Sequence, residues 1–354
     1  MRLHDPHWRG FASDNYAGVH PEVLQALTDA NEGHQVSYGE DDYTTKLTDV
    51  IREHFGARSE VFPVFNGTGA NVLSLTAMMP RWGAVICSSL AHIHTDEGGA
   101  PERVSGLKLY PVSHHQGKIT PEDIATEAFG FGDEHRAQPA VVSITQSTEL
   151  GTVYTPSEVK DIADFTHDHG MLLHMDGARL WNAAASLGVP FSAFTSDVGV
   201  DIVSLGGTKN GIMGAEAIVV INPEAVDGLI YLRKMSMQLA SKMRFVSAQL
   251  LALFENGLGL RSATHANTMA QRLRNSLEEG IASGALSGLS FSAPTQANAV
   301  FAVLDPEVSD RIRQTFRFYD WDRSVGEVRW MCSFDTTEED IERFVETITA
   351  ELQA

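Results

Sequence analysis

Short, nearly continuous apolar runs recur along this chain and are separated by segments with helical spacing. Their length and β-branched content predict buried strands at 84–87, 140–144, 171–175, 201–205 and 217–221. Between two of these runs, residues 156–169 have the periodicity of a helix, and Gly170 stands at its C-cap position. Apolar strands that alternate with helices predict an α/β fold with a mostly parallel sheet covered on both faces.

The chain is long for a single hydrophobic core, which usually fills at roughly 250–300 residues. Because it has 354 residues, we predict a large domain with an N-terminal arm over residues 1–255 and a small C-terminal α+β domain over residues 256–354. The seam between them is a natural place for a closed cleft. The pattern further predicts a helical stretch at 225–255, a helix at 263–283, strands near 299–304, 317–321 and 328–334, and a last helix opened by a capping box of Thr336 and Glu339.

The charge balance narrows the class of partner. The chain has 26 basic and 46 acidic residues, a formal net charge of −20 and a pI near 5.0. Such a surface repels nucleic-acid phosphates and anionic lipids, so we expect neither nucleic acid nor membrane as a partner. A small anionic substrate would need local positive charge at its site, which makes the clustered arginines and lysines informative.

The cysteines and the N-terminus bear on the compartment. Cys87 and Cys332 lie far apart and form no C-x-x-C motif, which favours free, buried thiols. The N-terminal residues lack the apolar core of a signal peptide, and no apolar run reaches the ~18 residues that span a bilayer. We therefore expect a cytoplasmic protein.

Three chemically different groups follow predicted strands. Asp176 comes directly after the run at 171–175, Lys209 follows the run at 201–205, and Gly67-Thr68-Gly69 forms a turn that opens a helical pattern. Ligands of parallel α/β sheets bind at the carboxyl ends of the strands. An amine, a carboxylate and a phosphate cradle are what pyridoxal phosphate requires: the amine forms a Schiff base, the carboxylate keeps the ring nitrogen protonated, and helix N–H groups bind the phosphate.

Each group also has an ordinary structural interpretation. Asp176 could pair with Arg179 instead of a ring nitrogen, and Lys209 could be a surface lysine. The turn at Gly67 could be a plain turn with a threonine cap. It lacks the G-x-x-x-x-G-K-[ST] and G-x-G-x-x-G patterns, which disfavours a nucleotide. The order of the groups and their placement at strand ends favour the cofactor.

The histidines and one arginine leave alternatives open. Several histidines near Asp176 resemble a metal site in composition, but they fall on separate elements, which favours structural or solvated roles and no metal. His92 follows the strand at 84–87 at its ligand-facing end, where a functional and a structural role are equally open. Arg329 is either an edge-strand charge or a bidentate clamp for a substrate carboxylate. The histidines near Asp176 are His167, His169 and His174.

Over essentially its whole length, the sequence resembles the low-specificity L-threonine aldolases, which have the fold type I, aspartate-aminotransferase-like architecture of pyridoxal phosphate enzymes. The family's most recognisable stretch is matched by His174-Met175-Asp176-Gly177-Ala178-Arg179-Leu180. Similar segments are Phe11-Ala12-Ser13-Asp14-Asn15, Tyr38-Gly39-Glu40-Asp41, Asn66-Gly67-Thr68-Gly69-Ala70-Asn71, Ala91-His92-Ile93 with Glu97-Gly98-Gly99, Gly207-Thr208-Lys209-Asn210-Gly211 and Val328-Arg329.

The resemblance implies a role for each matching residue. It implies Lys209 as the Schiff-base lysine, His92 stacked on the pyridine ring, and Asp176 at the ring nitrogen. It further implies a homodimer or homotetramer with active sites at the dimer interface. The other implied contacts are Arg179 near the phenolic oxygen, Gly67, Thr68 and Gly69 at the phosphate, Ser13 and Arg329 at the substrate carboxylate, and Lys234 and Arg244 supplied across the interface.

One segment departs from the family's pattern. Many relatives carry Glu-Asn-Thr-His, whose histidine lies near the substrate's β-hydroxyl, and this chain has Gln146-Ser147-Thr148-Glu149 instead. The subgroup with this pattern includes aldolases acting on threonine and on phenylserine. The resemblance therefore implies cleavage of threonine, allo-threonine or phenylserine to glycine and an aldehyde, with His92 as the first candidate base and Glu149 as the second. The alternatives are another pyridoxal phosphate reaction, β-elimination or transamination, and an inert relative that binds the cofactor for a scaffold role.

Overall fold

Seven strands form the larger of two sheets in the computed structural model, which describes residues 2–354. They are β1 (Glu60–Val64), β2 (Gly83–Ser88), β3 (Lys108–Val112), β4 (Gln138–Thr145), β5 (Leu172–Gly177), β6 (Ile202–Leu205) and β7 (Glu216–Val220). Their order is β1-β7-β6-β5-β4-β2-β3, and only β7 runs antiparallel to its neighbours. The predicted α/β fold with a mostly parallel sheet is confirmed, and the five predicted strands correspond to β2, β4, β5, β6 and β7.

Helices cover both faces of this sheet, and the last three helices of the chain contribute to the core of a second, smaller sheet. They are α1 (Pro21–Asp29), α2 (Asp42–Phe55), α3 (Gly67–Met78), α4 (His92–Thr95), α5 (Pro121–Ala125), α6 (Pro156–Asp168), α7 (Leu180–Leu187), α8 (Leu229–Met235), α9 (Met243–Phe254), α10 (Leu258–Ala282), α11 (Pro306–Ile312) and α12 (Glu338–Gln353). Alternate residues of one strand enter different cores: Ile86 packs on the side of α2, α6 and α9, whereas Val85 and Cys87 pack on the side of α3 and α8. This alternation explains why the strands are apolar at nearly every position.

A second, antiparallel sheet lies in the C-terminal part. Its strands, in the order β10-β11-β9-β8, are β8 (Leu289–Phe291), β9 (Ala299–Leu304), β10 (Tyr319–Asp322) and β11 (Glu327–Met331). Its core includes residues of α10 and α12. Since Ala263 of α10 packs in the core of the large sheet and Met269 in that of the small one, this helix joins the two parts. The boundary at 255/256 stays a prediction.

The N-terminal segment is part of the small sheet's core. Phe11 stacks on Phe344 of α12 with ring centroids 4.1 Å apart. Its backbone N–H donates to the carbonyl oxygen of Arg317, and its carbonyl oxygen accepts from the N–H of Met331. Three residues later, Asp14 pairs with Arg179, which directly precedes α7.

Two local predictions need correction. The helical stretch at 225–255 is two helices, α8 and α9, because the chain crosses between the two sides of the sheet there. Gln238 lies in the connection and accepts from the N–H of Phe65 at the end of β1 (3.0 Å). The capping box of the last helix is Thr337 with Asp340, one residue later than predicted, since the Thr336 hydroxyl instead accepts from the N–H of Ser333.

Candidate active site

One cavity opens at the carboxyl ends of β2, β4, β5 and β6. The strand ends deliver different side chains to it because neighbouring parallel strands finish at the same edge of the sheet. Most of the predicted site residues line this cavity, together with polar residues that had no predicted role. The lining comprises Gly67, Thr68, Asn71, His92, Glu97, Thr145, Ser147, Glu149, Asp176, Ala178, Arg179 and Lys209.

The turn after β1 starts α3 at the cavity. Asn66 caps the helix, and its side-chain oxygen accepts from the N–H of Gly69 at 2.8 Å. Gly67 and Thr68 line the cavity, whereas Gly69 does not. A Cβ at Gly69 would lie 2.6 Å from the Gln238 side chain, so a larger residue there would have to displace the end of that side chain. The helix therefore presents its first residues to the cavity, where its N–H groups and dipole favour an anion.

Asp176 at the end of β5 accepts only from neutral donors among its side-chain contacts. Its Oδ2 accepts from Asn71 Nδ2 at 2.8 Å, and its Oδ1 accepts from the N–H of Ala178 at 3.0 Å. The predicted alternative, a pair with Arg179, is not formed. The carboxylate is buried and has no cationic partner of its own.

Arg179 pairs instead with a residue far away in the sequence. Its Nε and one terminal nitrogen donate to Asp14 at 2.7 and 3.0 Å, and Asn298 also donates to Asp14 at 3.1 Å. Burial alone would raise the pKa of Asp14, but the charge and hydrogen bonds of Arg179 hold it below its ordinary value. No local signal in the sequence indicated this pair, although Asp14 and Arg179 both lie in segments that resemble the family.

Lys209 lies in a short turn after β6 and lines the cavity. Burial and the neighbouring charge of Arg179 lower its pKa, which favours the neutral amine that a nucleophile needs. The turn approaches other backbone closely, since a Cβ on Gly206 would collide with the carbonyl group of Ala178. Buried Glu216 accepts from the N–H groups of Gly207 (2.9 Å) and Thr208 (3.2 Å) and holds the turn in place.

His92 and Glu149 are adjacent. The backbone N–H of His92 donates to Glu149 Oε1 at 3.0 Å, and Thr145 donates to the same oxygen at 2.7 Å. Burial raises the pKa of Glu149 to about 7, and a hydrogen bond to Glu97 raises the pKa of His92. Glu149 can therefore exchange a proton near neutral pH, and His92 is made more basic by its contact with Glu97.

Arg329 lies beside the N-terminal segment that carries Ser13, through a contact with Ala12. Arg329 lies on β11, between β10 and β9, so the alternative of an edge-strand charge is wrong. Its guanidinium stands 5.3 Å from the ring centroid of Trp321 and donates weakly to the carbonyl oxygen of Ala12 at 3.4 Å, while its Nε is buried without a partner. Burial lowers its pKa to about 10. The Ser13 hydroxyl accepts from the N–H of Asn15 at 3.1 Å. Neither residue lines the cavity around Lys209.

Lys234 and Arg244 are not brought to the cavity of their own chain. The ammonium of Lys234 lies 5.1 Å from the ring centroid of Tyr38, and Arg244 donates to the carbonyl oxygen of Gly33 at 3.3 Å.

The histidines near Asp176 have separate partners. His174 is fully buried between the hydroxyls of Ser143 (2.9 Å) and Ser204 (3.0 Å), and burial lowers its pKa to about 4. His167 bonds to Asp201, and His169 bonds to the carbonyl oxygen of Phe165.

Among residues 2–354, no helix combines the length and apolar character needed to cross a membrane.

Comparisons with known proteins show the family of the chain. The profile of the beta-eliminating lyase family matches residues 10–304. A low-specificity L-threonine aldolase from a Pseudomonas species is 42% identical over 97% of this chain and 98% of its own length, and one from Pseudomonas aeruginosa is 42% identical over 95% of each chain. A threonine aldolase from Leishmania major superimposes with a TM-score of 0.90 at 28% identity, over 97% of this chain and 99% of its own. The resemblance noted in the sequence is confirmed. The chain belongs to the beta-eliminating lyase family and, within it, to the low-specificity L-threonine aldolases, enzymes of the carbon–carbon lyase type.

Proposed function

We propose that this enzyme uses pyridoxal 5'-phosphate to cleave L-β-hydroxy-α-amino acids into glycine and an aldehyde. The observation that carries the proposal is that Lys209 and Asp176 line the same cavity. Lys209 is an amine with a lowered pKa, and Asp176 is a buried carboxylate that forms no ion pair with an arginine. The names of the relatives support threonine as a substrate. Allo-threonine and phenylserine rest on the resemblance that the segment ending in Glu149 carries.

The residues present fit that cofactor. A protonated ring nitrogen would compensate the charge of Asp176, whose side-chain partners are neutral. The first turn of α3, with Gly67 and Thr68 at the cavity, suits the phosphate, and the resemblance assigns Gly69 to the phosphate as well. The resemblance further assigns His92 to the ring face and Arg179 to the phenolic oxygen. When bound, pyridoxal phosphate supplies a sink for the electron pair left at Cα when the Cα–Cβ bond breaks.

Arg329 and Ser13 are the proposed grip on the substrate carboxylate. The Arg329 guanidinium, whose buried Nε has no partner, can donate two hydrogen bonds to a carboxylate without losing a strong existing bond. The grip would fix rotation about Cα, and orientation of this kind can supply up to roughly 7–11 kcal/mol.

His92 is the first candidate for the base that takes the β-hydroxyl proton, and Glu149 is the second. Both line the cavity. Since the pKa of Glu149 is about 7, a large fraction of it is protonated at neutral pH, and it can also return a proton.

A second copy of the chain is proposed to complete the site. Large apolar side chains on and after α8 are exposed, among them Tyr231 at 74% and Met237 at 81%. Lys234 lies between them in the sequence, and the nearby Gln238 contacts the start of α3, so this surface is continuous with the proposed phosphate site. The resemblance implies that a homodimer or homotetramer formed through this surface supplies Lys234 and Arg244 to the partner's cavity.

Two broader expectations are kept as proposals. We propose that residues 1–255 and 256–354 form the two domains. A cytoplasmic location is supported by Cys87 and Cys332, which are both free and buried and thus suit a reducing compartment.

The decisive experiment incubates the cofactor-loaded enzyme with threonine, allo-threonine and phenylserine and measures both glycine and the aldehyde. Formation of the two products together supports the proposal. Pyruvate or another keto acid without glycine would contradict it. In parallel, borohydride reduction should trap the cofactor on the peptide that contains Lys209, and the Lys209→Ala protein should show neither that adduct nor visible absorbance.

A further inference from the structure

Glu97 is a buried carboxylate in contact with His92, and no role has been assigned to it above. Its side chain is only 1% exposed. Its Oε1 accepts from His92 Nδ1 at 3.0 Å and from Asn71 Nδ2 at 2.9 Å, while its Oε2 is buried without a partner. A buried carboxylate with so few donors is costly unless a cation compensates it. The imidazole of His92 is the titratable group that it touches.

The amide of Asn71 links this carboxylate to Asp176. Its Nδ2 donates one hydrogen to Glu97 and the other to Asp176 Oδ2. Both hydrogens are therefore used on carboxylates, which fixes the orientation of the amide and keeps two buried negative charges apart through a neutral bridge. The result is a continuous chain of hydrogen bonds: Asp176, Asn71, Glu97, His92.

We propose that Glu97 is a positioning residue for His92: by accepting from Nδ1 it fixes the tautomer and leaves Nε2 as the atom that exchanges a proton in the cavity. The inference deepens the proposed function and rests on its assignment of His92 as the base. When Nε2 takes up the β-hydroxyl proton, the ring becomes an imidazolium whose charge faces the Glu97 carboxyl group. A comparable carboxylate–histidine arrangement makes other histidines stronger bases.

Other charges also act on His92. Asp176 favours its protonation, Lys209 disfavours it, and Glu149 lies at its backbone N–H. Glu97 provides the largest contribution, through its hydrogen bond, and this raises the pKa of His92 despite the opposing effect of burial.

The test variant is Glu97→Gln, which removes the charge of the side chain and retains its shape. The control is Glu102→Gln, which removes an exposed carboxylate from the same region. Histidine NMR titration of the cofactor-free protein, with the His92 signal assigned by its loss in His92→Phe, should show the pKa of His92 lowered by about one or more in Glu97→Gln. It should be unchanged in Glu102→Gln. In the loaded enzyme, the acidic limb of kcat should move to lower pH by a similar amount, with a smaller change in KM.

An unchanged pKa of His92 in Glu97→Gln would overturn the inference. If that variant does not fold, Glu97→Asp, which keeps the charge but shortens the side chain, should lower the pKa of His92 by a smaller amount, and no change there overturns it equally. The titration is independent of catalysis. A lowered pKa in a protein that releases no aldehyde from any of the three substrates would sink the proposed function while leaving the contact between Glu97 and His92 established.

Discussion

The buried pair of Asp14 and Arg179 should dominate the stability of the N-terminal segment. The Asp14 side chain is 1% exposed and that of Arg179 is 13% exposed, and two hydrogen bonds join them. Removing one partner of a buried pair typically costs about 3–5 kcal/mol, because the other charge is left uncompensated. The amide that Asp14→Asn introduces could still accept one hydrogen bond. We therefore expect the free energy of unfolding to fall by about 3 kcal/mol, which changes the folding equilibrium roughly a hundredfold.

The measurement is urea unfolding of the cofactor-free protein at neutral pH. The matched control is Glu224→Gln, which breaks the pair with Arg58: its distance, 2.8 Å, is almost the same, but its side chains are 69% and 79% exposed. Exposed pairs contribute about 0–1 kcal/mol. If both variants lost the same small amount of unfolding free energy, the argument that burial makes the Asp14 pair strong would be refuted.

The same pair has a defined pH dependence. Because the pKa of Asp14 is lowered in the folded protein, its stabilisation is present above the ordinary value of 3.8 and is lost as the pH falls through the lower folded value. The difference in the free energy of unfolding between wild type and Asp14→Asn should therefore become smaller at acidic pH.

The remaining predictions concern the site and the sheet. Arg329→Lys retains the charge but loses the bidentate geometry, so kcat/KM should fall at least about tenfold, and an unchanged value would contradict the clamp. His92→Phe and Glu149→Gln should each be compared by their pH–rate profiles: the variant that abolishes the acidic limb identifies the base, and a limb that persists in both points to water or the cofactor phosphate. His174 has a pKa of about 4 against an ordinary 6.5, so stability should fall by up to about 3 kcal/mol as the pH drops from 6.5 to 4, and His174→Gln should flatten that dependence in urea titrations.

The positions of strands and of the groups at their ends could be predicted because they depend on local pattern. A strand that is buried on both faces must be apolar throughout, and the residue that follows its apolar run lies at the carboxyl end of the strand, as Asp176 does. Contacts between distant segments leave no such pattern. The partner of Arg179 lies 165 positions away, and only the fold reveals that Asp14 takes it away from Asp176.

Other differences arise where tertiary packing overrides the local signal. Residues 225–255 have helical composition, yet the chain must pass from one side of the sheet to the other, so α8 ends at Met235 and α9 begins at Met243. Glu97 was visible in the sequence as one acid among several. Its burial against His92 depends on the position of α3, which carries Asn71.

The segment around Phe11 acts as a tether between the two parts of the molecule. At one end it is anchored in the small sheet by the Phe11 ring and backbone, and three residues later Asp14 is held by Arg179. Because so few residues lie between Phe11 and Asp14, a shift of the small sheet by a few ångströms would separate the Asp14 carboxylate from the Arg179 guanidinium. The counter-charge that Arg179 meets beside the cavity therefore depends on the position of the small sheet.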